Sequence, residues 1–126
     1  MDREGFASLM ATLAGAWNTG DSVTALDLFT DDARYVEPPD EQRYEGREQL
    51  FKFFGADDPP SMSLVWHHVV FDPDQQVGAA EYTYRGTRTY HGITLVRLER
   101  DRIADWREYQ YPSDLDWEAF SAANRF

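Results

Sequence analysis

The stretch Met62-Ser63-Leu64-Val65-Trp66-His67-His68-Val69-Val70-Phe71 begins a run of about fifty residues in which the apolar side chains follow the period of a β-strand. This run predicts four strands, at Met62–Phe71, Val77–Gly86, Tyr90–Glu99 and Ile103–Tyr111. The connections between them are short and rich in turn residues, so neighbouring strands are expected to pair as antiparallel hairpins.

The residues before this run follow the period of a helix instead. The apolar stripe of the first predicted helix consists of Phe6, Leu9, Met10, Leu13 and Trp17. We expect a shorter second helix that carries Val23, Leu26 and Phe29, and a third helix over Gly46–Phe54. Helices followed by a meander of strands indicate an α+β domain in which the helices pack on one face of a curved, mostly antiparallel sheet.

Two short elements complete the prediction. Arg34–Glu37 has the residues of a short strand, which Pro38-Pro39 would end because proline cannot donate to a sheet ladder. Near the other end, Ser113-Asp114-Leu115-Asp116 matches a capping box and predicts a final helix that carries Trp117 and Phe120. No repeat or linker is evident, so residues 1–126 are expected to form a single domain.

The composition excludes several classes of function. The 126 residues include no cysteine, which excludes disulfides, thiolate nucleophiles and cysteine-held metal sites. A balance of 12 basic and 23 acidic residues gives a net charge of −11, so neither nucleic acid nor a membrane surface is an expected partner. The chain lacks an apolar run of membrane-spanning length, and Met1-Asp2-Arg3-Glu4 lacks the features of a signal peptide, which predicts a cytoplasmic protein. Of the 12 basic residues, 11 are arginine, a bias consistent with a GC-rich bacterial genome.

Aromatic residues make up 15% of the chain, which is more than a small core obviously needs. We expect Phe6, Phe29, Phe51 and Phe53 to lie mainly in the core. The side chains predicted to line a substrate pocket are Trp17, Tyr35, Phe54, Trp66, Tyr82, Tyr84, Tyr90 and Trp106. The loops Pro38–Tyr44 and Ala56–Ser61 are expected to form part of the mouth of that pocket.

Four motifs, taken together with this order of elements, indicate a family. They are Trp17-Asn18-Thr19-Gly20-Asp21, Leu28-Phe29-Thr30-Asp31-Asp32-Ala33, Tyr44-Glu45-Gly46-Arg47-Glu48 and Asp101-Arg102-Ile103-Ala104-Asp105-Trp106-Arg107-Glu108-Tyr109. The chain resembles the SnoaL-like proteins of the nuclear-transport-factor-like superfamily. The resemblance implies a cone-shaped α+β fold around one pocket, often in a homodimer. The superfamily includes ketosteroid isomerase, limonene epoxide hydrolase, scytalone dehydratase, polyketide cyclases and binding modules without catalysis, so the fold alone does not give the function.

Glu37 is the first candidate for a catalytic group. In ketosteroid isomerases, the base is an aspartate directly before a proline, on the strand that follows an Asp-Asp-Ala sequence. Glu37 stands at the same place relative to Asp31-Asp32-Ala33 and Pro38. A carboxyl among apolar rings loses hydration, which raises its pKa and makes it a plausible general base. The alternative is a strand-end acid that faces solvent.

The resemblance also implies where oxyanion donors would lie. The positions that correspond to the two donors of ketosteroid isomerase are Leu13 and Thr94, and neither side chain can replace an acidic phenol or a protonated carboxyl. Steroid isomerisation in its known form is therefore not expected.

Glu108 is the second candidate. The sequence Trp106-Arg107-Glu108-Tyr109 is similar to a Trp-Arg-Asp-Tyr sequence whose aspartate lines the pocket of limonene epoxide hydrolases. The Arg-x-Asp pair that works with that aspartate is replaced here by Tyr82-Thr83-Tyr84, so epoxide hydrolysis by that mechanism is not expected. The alternative is that Glu108 only hydrogen-bonds an interior tyrosine or histidine.

His68 is the third candidate, as a proton partner of either carboxylate. Strand alternation predicts that Trp66 and His68 share the pocket face while His67 points away. A lone strand histidine can also be purely structural. His67, His68 and His91 lack the spacing of a metal-ligand set, so no metal and no other cofactor is expected.

The sequence thus favours a pocket protein for a small apolar molecule with a carbonyl or hydroxyl group. One hypothesis is a cofactor-independent isomerase, cyclase or lyase that uses Glu37, Glu108 and His68 as acid–base groups. The rival hypothesis is a ligand-binding or dimerisation module of the same fold without catalysis. In either case the outer face of the sheet is the predicted surface of a homodimer.

Overall fold

The computed structural model describes residues 1–38 and 40–125, so Pro39 of the predicted strand break lies outside the described residues. The helices are α1 (Arg3–Asn18), α2 (Ser22–Asp27), α3 (Gly46–Phe53) and α4 (Trp117–Phe120). The strands are β1 (Phe29–Val36), β2 (Arg43–Glu45), β3 (Ser63–Asp72), β4 (Val77–Arg85), β5 (Thr89–Glu99) and β6 (Arg102–Pro112). None of the helices in the described part of the chain is both long and apolar enough to cross a membrane.

The strands form one six-stranded sheet in the order β2-β1-β6-β5-β4-β3. All neighbouring strands pair antiparallel except β1 and β6, which are parallel. Helices at the N-terminal end pack against the curved sheet, which confirms the predicted α+β class. We call the face that carries α1 and α3 the inner face, and the opposite face the outer face.

The core lies between α1 and the inner face. Phe6 of α1 stacks on Phe71 of β3 with ring centroids 4.5 Å apart. Leu13, about two turns further along the same face of α1, is fully buried. Phe6 and Phe29 both have no exposed surface, as predicted for core residues. Burial of this stripe supplies the hydrophobic free energy that holds the helix on the sheet.

Two local predictions are wrong. Phe29, predicted on the second helix, begins β1, where it pairs with Ile103 while the backbone of Ile103 donates to Leu28. This parallel pairing links distant parts of the chain, so the helical spacing of Val23, Leu26 and Phe29 could not reveal it. The final helix is capped by Asp116, whose side chain accepts from Ala119 N, and not by Ser113.

The last helix also packs on the other side of the sheet from the first three. The ring of Trp117 stacks on His67 with centroids 3.9 Å apart, and Phe120 lies 4.3 Å from the ring of His91. His67 and His91 are joined through the hydroxyl of Thr83, at 2.7 Å and 2.9 Å. The helix α4 therefore covers part of the outer face.

A β-bulge in β3 changes which residues face inward. Trp66 pairs with Tyr82, but the next pair joins His68 to Glu81, so His67 is the extra residue. A bulge places two residues opposite one on the partner strand and so reverses the alternation beyond it. As a result Val69 and Phe71 pack against the inner core, whereas Val70 is 63% exposed.

Gly78 offers a test of how tightly the core is packed. A Cβ at this position would lie 2.4 Å from the Phe6 ring and 2.9 Å from the carbonyl oxygen of Val70. We expect Gly78→Ala to lower the free energy of unfolding by about 1–3 kcal/mol, measured by urea denaturation. In the control Gly15→Ala, the added Cβ on α1 has no atom within 4 Å. This substitution should raise the free energy of unfolding by up to about 1 kcal/mol. Equal effects of the two substitutions would contradict this packing.

Candidate active site

A cavity of about 310 Å³ lies between the inner face of the sheet, the C-terminal end of α1, the start of α2 and the end of α3. Its apolar and aromatic walls are formed by Ala16, Trp17, Phe53, Phe54, Pro59, Pro60, Met62, Leu64, Tyr35, Tyr82, Tyr84 and Tyr90. Its polar lining consists of Asp21, Ser22, Glu37, Gln42, Thr87, Glu108 and Gln110. Apolar walls with a few convergent polar groups are typical of a small-molecule site.

Strand alternation positions the polar groups. On β6, Trp106, Glu108 and Gln110 point to the inner face because they are two residues apart, while Tyr109 is half exposed on the outer face. Tyr35 of β1 lies next to Trp106 in register, and Glu37 follows directly after the end of that strand. The carboxyls of Glu37 and Glu108 therefore meet on one wall of the cavity.

Glu108 is almost completely buried, with 5% of its surface exposed. The hydroxyl of Tyr35 donates to its Oε1 at 2.6 Å and the hydroxyl of Tyr82 lies 3.0 Å from its Oε2. Burial, together with the negative charge of Glu108, raises the pKa of both tyrosines, so both remain protonated donors. Hydrogen bonds to an ionised acceptor are stronger than neutral ones, which offsets part of the cost of burying the carboxylate.

Gly92 allows Tyr82 to reach this carboxylate. Tyr82 lies on β4 and Glu108 on β6, so the tyrosine side chain has to cross the intervening strand β5. Gly92 of β5 pairs with Tyr82 on one side and with Gln110 on the other. A Cβ at Gly92 would lie 2.7 Å from the Tyr82 hydroxyl, so any larger residue would displace the ring. A glycine inside a strand often marks such a close approach.

Glu37 is connected to the same network. The side-chain amide of Gln110 donates to Glu37 Oε1, and the amide oxygen of Gln110 lies 3.0 Å from the Tyr82 hydroxyl. Burial, a hydrogen bond with Glu108 and the negative charges of Glu108 and Glu41 raise the pKa of Glu37 to about 9. At neutral pH Glu37 therefore keeps its proton beside the carboxyl of Glu108.

Most of the residues predicted from the sequence lie around this cavity. Those that line it are Trp17, Tyr35, Glu37, Phe54, Tyr82, Tyr84, Tyr90 and Glu108. Gln42 comes from the loop Pro38–Tyr44, and Pro59 and Pro60 come from Ala56–Ser61, so both predicted mouth loops contribute to the lining. Phe53, expected in the core, lines the cavity as well.

The predicted position of His68 is wrong. Because of the bulge at His67, His68 shares the outer face with Glu81, and its Nδ1 lies 2.9 Å from Glu81 Oε1. His67 also faces outward, where burial lowers its pKa. The assumption that these neighbouring histidines face opposite sides fails for the same reason, and His68 does not join Glu37 and Glu108.

The predicted pocket positions of Trp66 and Trp106 are wrong too. The indole nitrogen of Trp66 donates to the Met10 carbonyl at 2.8 Å, so the ring lies between β3 and α1. Trp106 is 1% exposed and stacks on Tyr35 with ring centroids 5.4 Å apart. Both rings pack in the core, and neither belongs to the cavity lining.

The positions that correspond to the oxyanion donors of ketosteroid isomerase do not supply donors here. Leu13 is fully buried in the core. Thr94 has no exposed surface, and its hydroxyl donates to the Arg107 carbonyl at 3.3 Å. Neither residue is part of the cavity lining described above.

Some site residues were missed. Gln110 stands two residues after Glu108 on the same strand, so alternation could have identified it. Gly92 could have been singled out as a glycine in the middle of a predicted strand. Asp21, Ser22, Met62 and Thr87 reach the cavity through the path of loops and of helix and strand ends, which hydrophobic periodicity does not describe.

Solved structures with the same fold cover most of this chain. A candidate ketosteroid isomerase from Kribbella flavida has a TM-score of 0.75 and 16% identity, over 91% of this chain and 84% of its own. The epoxide hydrolase/cyclase-like enzyme SalBIII, which has a role in pyran ring formation in the polyether salinomycin, has a TM-score of 0.77 and 16% identity. The match covers 87% of this chain and 93% of SalBIII. A nuclear-transport-factor-2-like protein of unknown function from Burkholderia xenovorans has a TM-score of 0.72 and 17% identity. The match covers 98% of this chain and 94% of the Burkholderia protein. At these identities the likeness establishes the fold alone.

No curated protein matches the chain. The sequence model of the SnoaL-like domain matches residues 10–106, which is well over half of the chain. The matched region includes β1 to β5 and about the first half of β6. The chain therefore belongs to the SnoaL-like domain family.

Proposed function

We propose that this protein is a cofactor-independent acid–base enzyme, an isomerase, cyclase or lyase, that acts on a small apolar molecule with a carbonyl or hydroxyl group. The observation that carries the proposal is that Glu37 and Glu108 both line an aromatic cavity and belong to one polar network with Gln110 and Tyr82. A carboxyl that keeps its proton at neutral pH can act as the acid, and a second carboxyl beside it can act as the base.

In this proposal, Glu37 is the general acid and Glu108 the general base. Glu37 donates its proton to the substrate oxygen while Glu108 removes a proton from the substrate. The proton gained by Glu108 then returns to Glu37, the carboxyl whose pKa is raised, which restores the starting state. The hydroxyls of Tyr35 and Tyr82 hold the base in place and stabilise its charge.

The comparisons support this class of chemistry without selecting one reaction. One similar structure is a candidate ketosteroid isomerase and another is an epoxide hydrolase/cyclase-like enzyme. The donor positions of the isomerase correspond to Leu13 and Thr94, which favours a reaction other than steroid isomerisation.

A second candidate function is a binding module without catalysis. It is favoured by the fact that both oxygens of Glu108 already lie within hydrogen-bond distance of a tyrosine hydroxyl, and that Gln110 donates to Glu37. A network that is satisfied in this way could serve only to shape and rigidify the cavity.

We also propose that the protein forms a homodimer through the outer face of the sheet. The exposed apolar residues on this face are Val65, Val70, Ile93, Leu95, Tyr109 and Tyr111, each between 39% and 64% exposed. A monomer rarely exposes so many large apolar side chains on one face, and a second copy would bury them.

Glutamine substitutions test the catalytic roles. Glu37→Gln and Glu108→Gln keep the size of each side chain but remove its acid–base function, so each should lower kcat at least about 100-fold. The assay would use a panel of neutral polyketide-like and steroid-like ketones and alcohols. The matched control is Glu81→Gln, on the outer face beside Tyr82, which should keep normal turnover. Unchanged rates in both site variants would favour the binding module.

The pH dependence of stability tests the raised pKa of Glu37. Its pKa in the unfolded chain is about 4.3 and rises on folding, so between the two values the folded state holds one more proton. The contribution of Glu37 to stability is therefore complete below pH 4 and is lost as the pH rises toward 9. Urea denaturation at pH 6 and pH 8.5 should show a smaller loss of stability for Glu37→Gln than for the unmodified protein. Equal losses would contradict the raised pKa.

The dimer is tested by sedimentation. Ile93→Glu places a charge in the middle of the apolar outer face, so it should produce monomers at micromolar concentration in analytical ultracentrifugation. The control Val23→Glu changes an exposed valine on α2, 59% exposed against 45% for Ile93, and should leave the dimer intact. A monomer for the unmodified protein would refute the proposed interface.

A further inference from the structure

The charged residues around the cavity are unevenly distributed. Among the described residues that line it, the carboxylic acids are Asp21, Glu37 and Glu108. The same lining includes no lysine, arginine or histidine. The buried carboxylate of Glu108 is held by neutral tyrosine hydroxyls instead of a cation. The cavity thus contains negative charge without a positive partner.

The two loops at the mouth are also acidic. Asp40 and Glu41 precede the lining residue Gln42, and Asp57 and Asp58 precede the lining residue Pro59. All four acids are exposed. Clefts lined by one sign of charge raise the local concentration of oppositely charged ligands.

Two arginines that neighbour lining residues in the sequence, Arg43 beside Gln42 and Arg88 beside Thr87, do not themselves line the cavity. The guanidinium of Arg88 lies 5.9 Å from the centroid of the Tyr90 ring, on an exposed hairpin. Arg43 lies with Arg107 in a separate concavity on the outer face. Neither arginine is part of the cavity lining.

The aromatic walls favour the same kind of ligand as the acids do. The rings of Trp17, Phe53, Phe54 and Tyr84 line the cavity together with that of Tyr90, over which the Arg88 guanidinium already lies. The face of an aromatic ring carries partial negative charge and attracts ammonium groups, most strongly where water is excluded. A cavity that combines such rings with carboxyl groups is suited to an organic cation.

We infer that the ligand of this cavity carries a positively charged nitrogen, a protonated or quaternary amine on an apolar body, which lies against the pair of Glu37 and Glu108. The inference rests on the proposed function in so far as it assigns the substrate class to the same site. A carboxylate or phosphate ligand is disfavoured, because it would add negative charge next to Glu108 without a cation to offset it.

Binding of a cation has a measurable consequence at Glu37. The ionisable groups that face Glu37 come from three segments, and all of them are acidic, namely Tyr35, Glu41, Tyr82, Tyr84 and Glu108. A cation placed among them would stabilise ionised Glu37 and lower its pKa, so binding at pH 7.5 should release a proton.

The experiment compares three probes that differ in charge. They are 4-(hydroxymethyl)phenyltrimethylammonium, its neutral isostere 4-tert-butylbenzyl alcohol and the anion 4-tert-butylbenzoate. Isothermal titration calorimetry at pH 7.5, in phosphate and in Tris buffer, would give both the affinity and the number of protons released. We expect the cation to bind about 10-fold more tightly than the neutral isostere, the anion to bind more weakly than both, and the heat of cation binding to differ between the buffers.

Two variants make the result specific. Glu37→Gln should abolish proton release while the cation remains the preferred probe, and the outer-face control Glu81→Gln should behave like the unmodified protein. Equal or tighter binding of the neutral isostere, no detectable binding of the cation, or cation binding without proton release would overturn the inference. Turnover of neutral substrates that is lost in Glu37→Gln would still support the proposed function, so the two can fail separately.

Discussion

The buried carboxylate of Glu108 is the constraint on which the inner face of this protein depends. A charge that is 5% exposed is costly unless hydrogen bonds replace its water. Its two donors come from opposite sides of β6: Tyr35 lies on the adjacent strand β1, and Tyr82 reaches it across β5. The position of one acid therefore fixes two aromatic side chains and requires a glycine, Gly92, between them.

The same acid determines the chemistry of its neighbour. Glu37 lies at the end of β1, where it is partly removed from water and hydrogen-bonded to Glu108, so it retains its proton at neutral pH. Gln110 joins Glu37 to the Tyr82 hydroxyl and completes a continuous polar network on an otherwise aromatic wall. Because no cation belongs to the described lining, the proton and the tyrosine hydroxyls are what balance the negative charge.

The sequence was sufficient where the alternation of the strands is regular. Glu108 and Tyr82 could be placed in the pocket because side chains alternate along β6 and β4. Glu37 was placed by the family resemblance instead, from its position relative to Asp31-Asp32-Ala33 and Pro38. His68 was misplaced because one extra residue in β3 reverses the faces, and no local pattern in Trp66-His67-His68 marks a bulge. The family resemblance gave the fold, but it could not show that Trp66 and Trp106 lie in the core beneath the cavity, since that depends on the packing of α1.

The carboxyl of Glu37 holds its proton at neutral pH although a second carboxyl lies beside it. The most direct measurement is a ¹³C NMR titration of protein labelled at the glutamate Cδ, with the Glu37 resonance assigned by its absence in Glu37→Gln. We expect this resonance to have the shift of a protonated carboxyl at pH 7 and to move to the ionised position only near pH 9. A Glu37 resonance that is already ionised at pH 7, with a pKa near the ordinary value for glutamate, would contradict it.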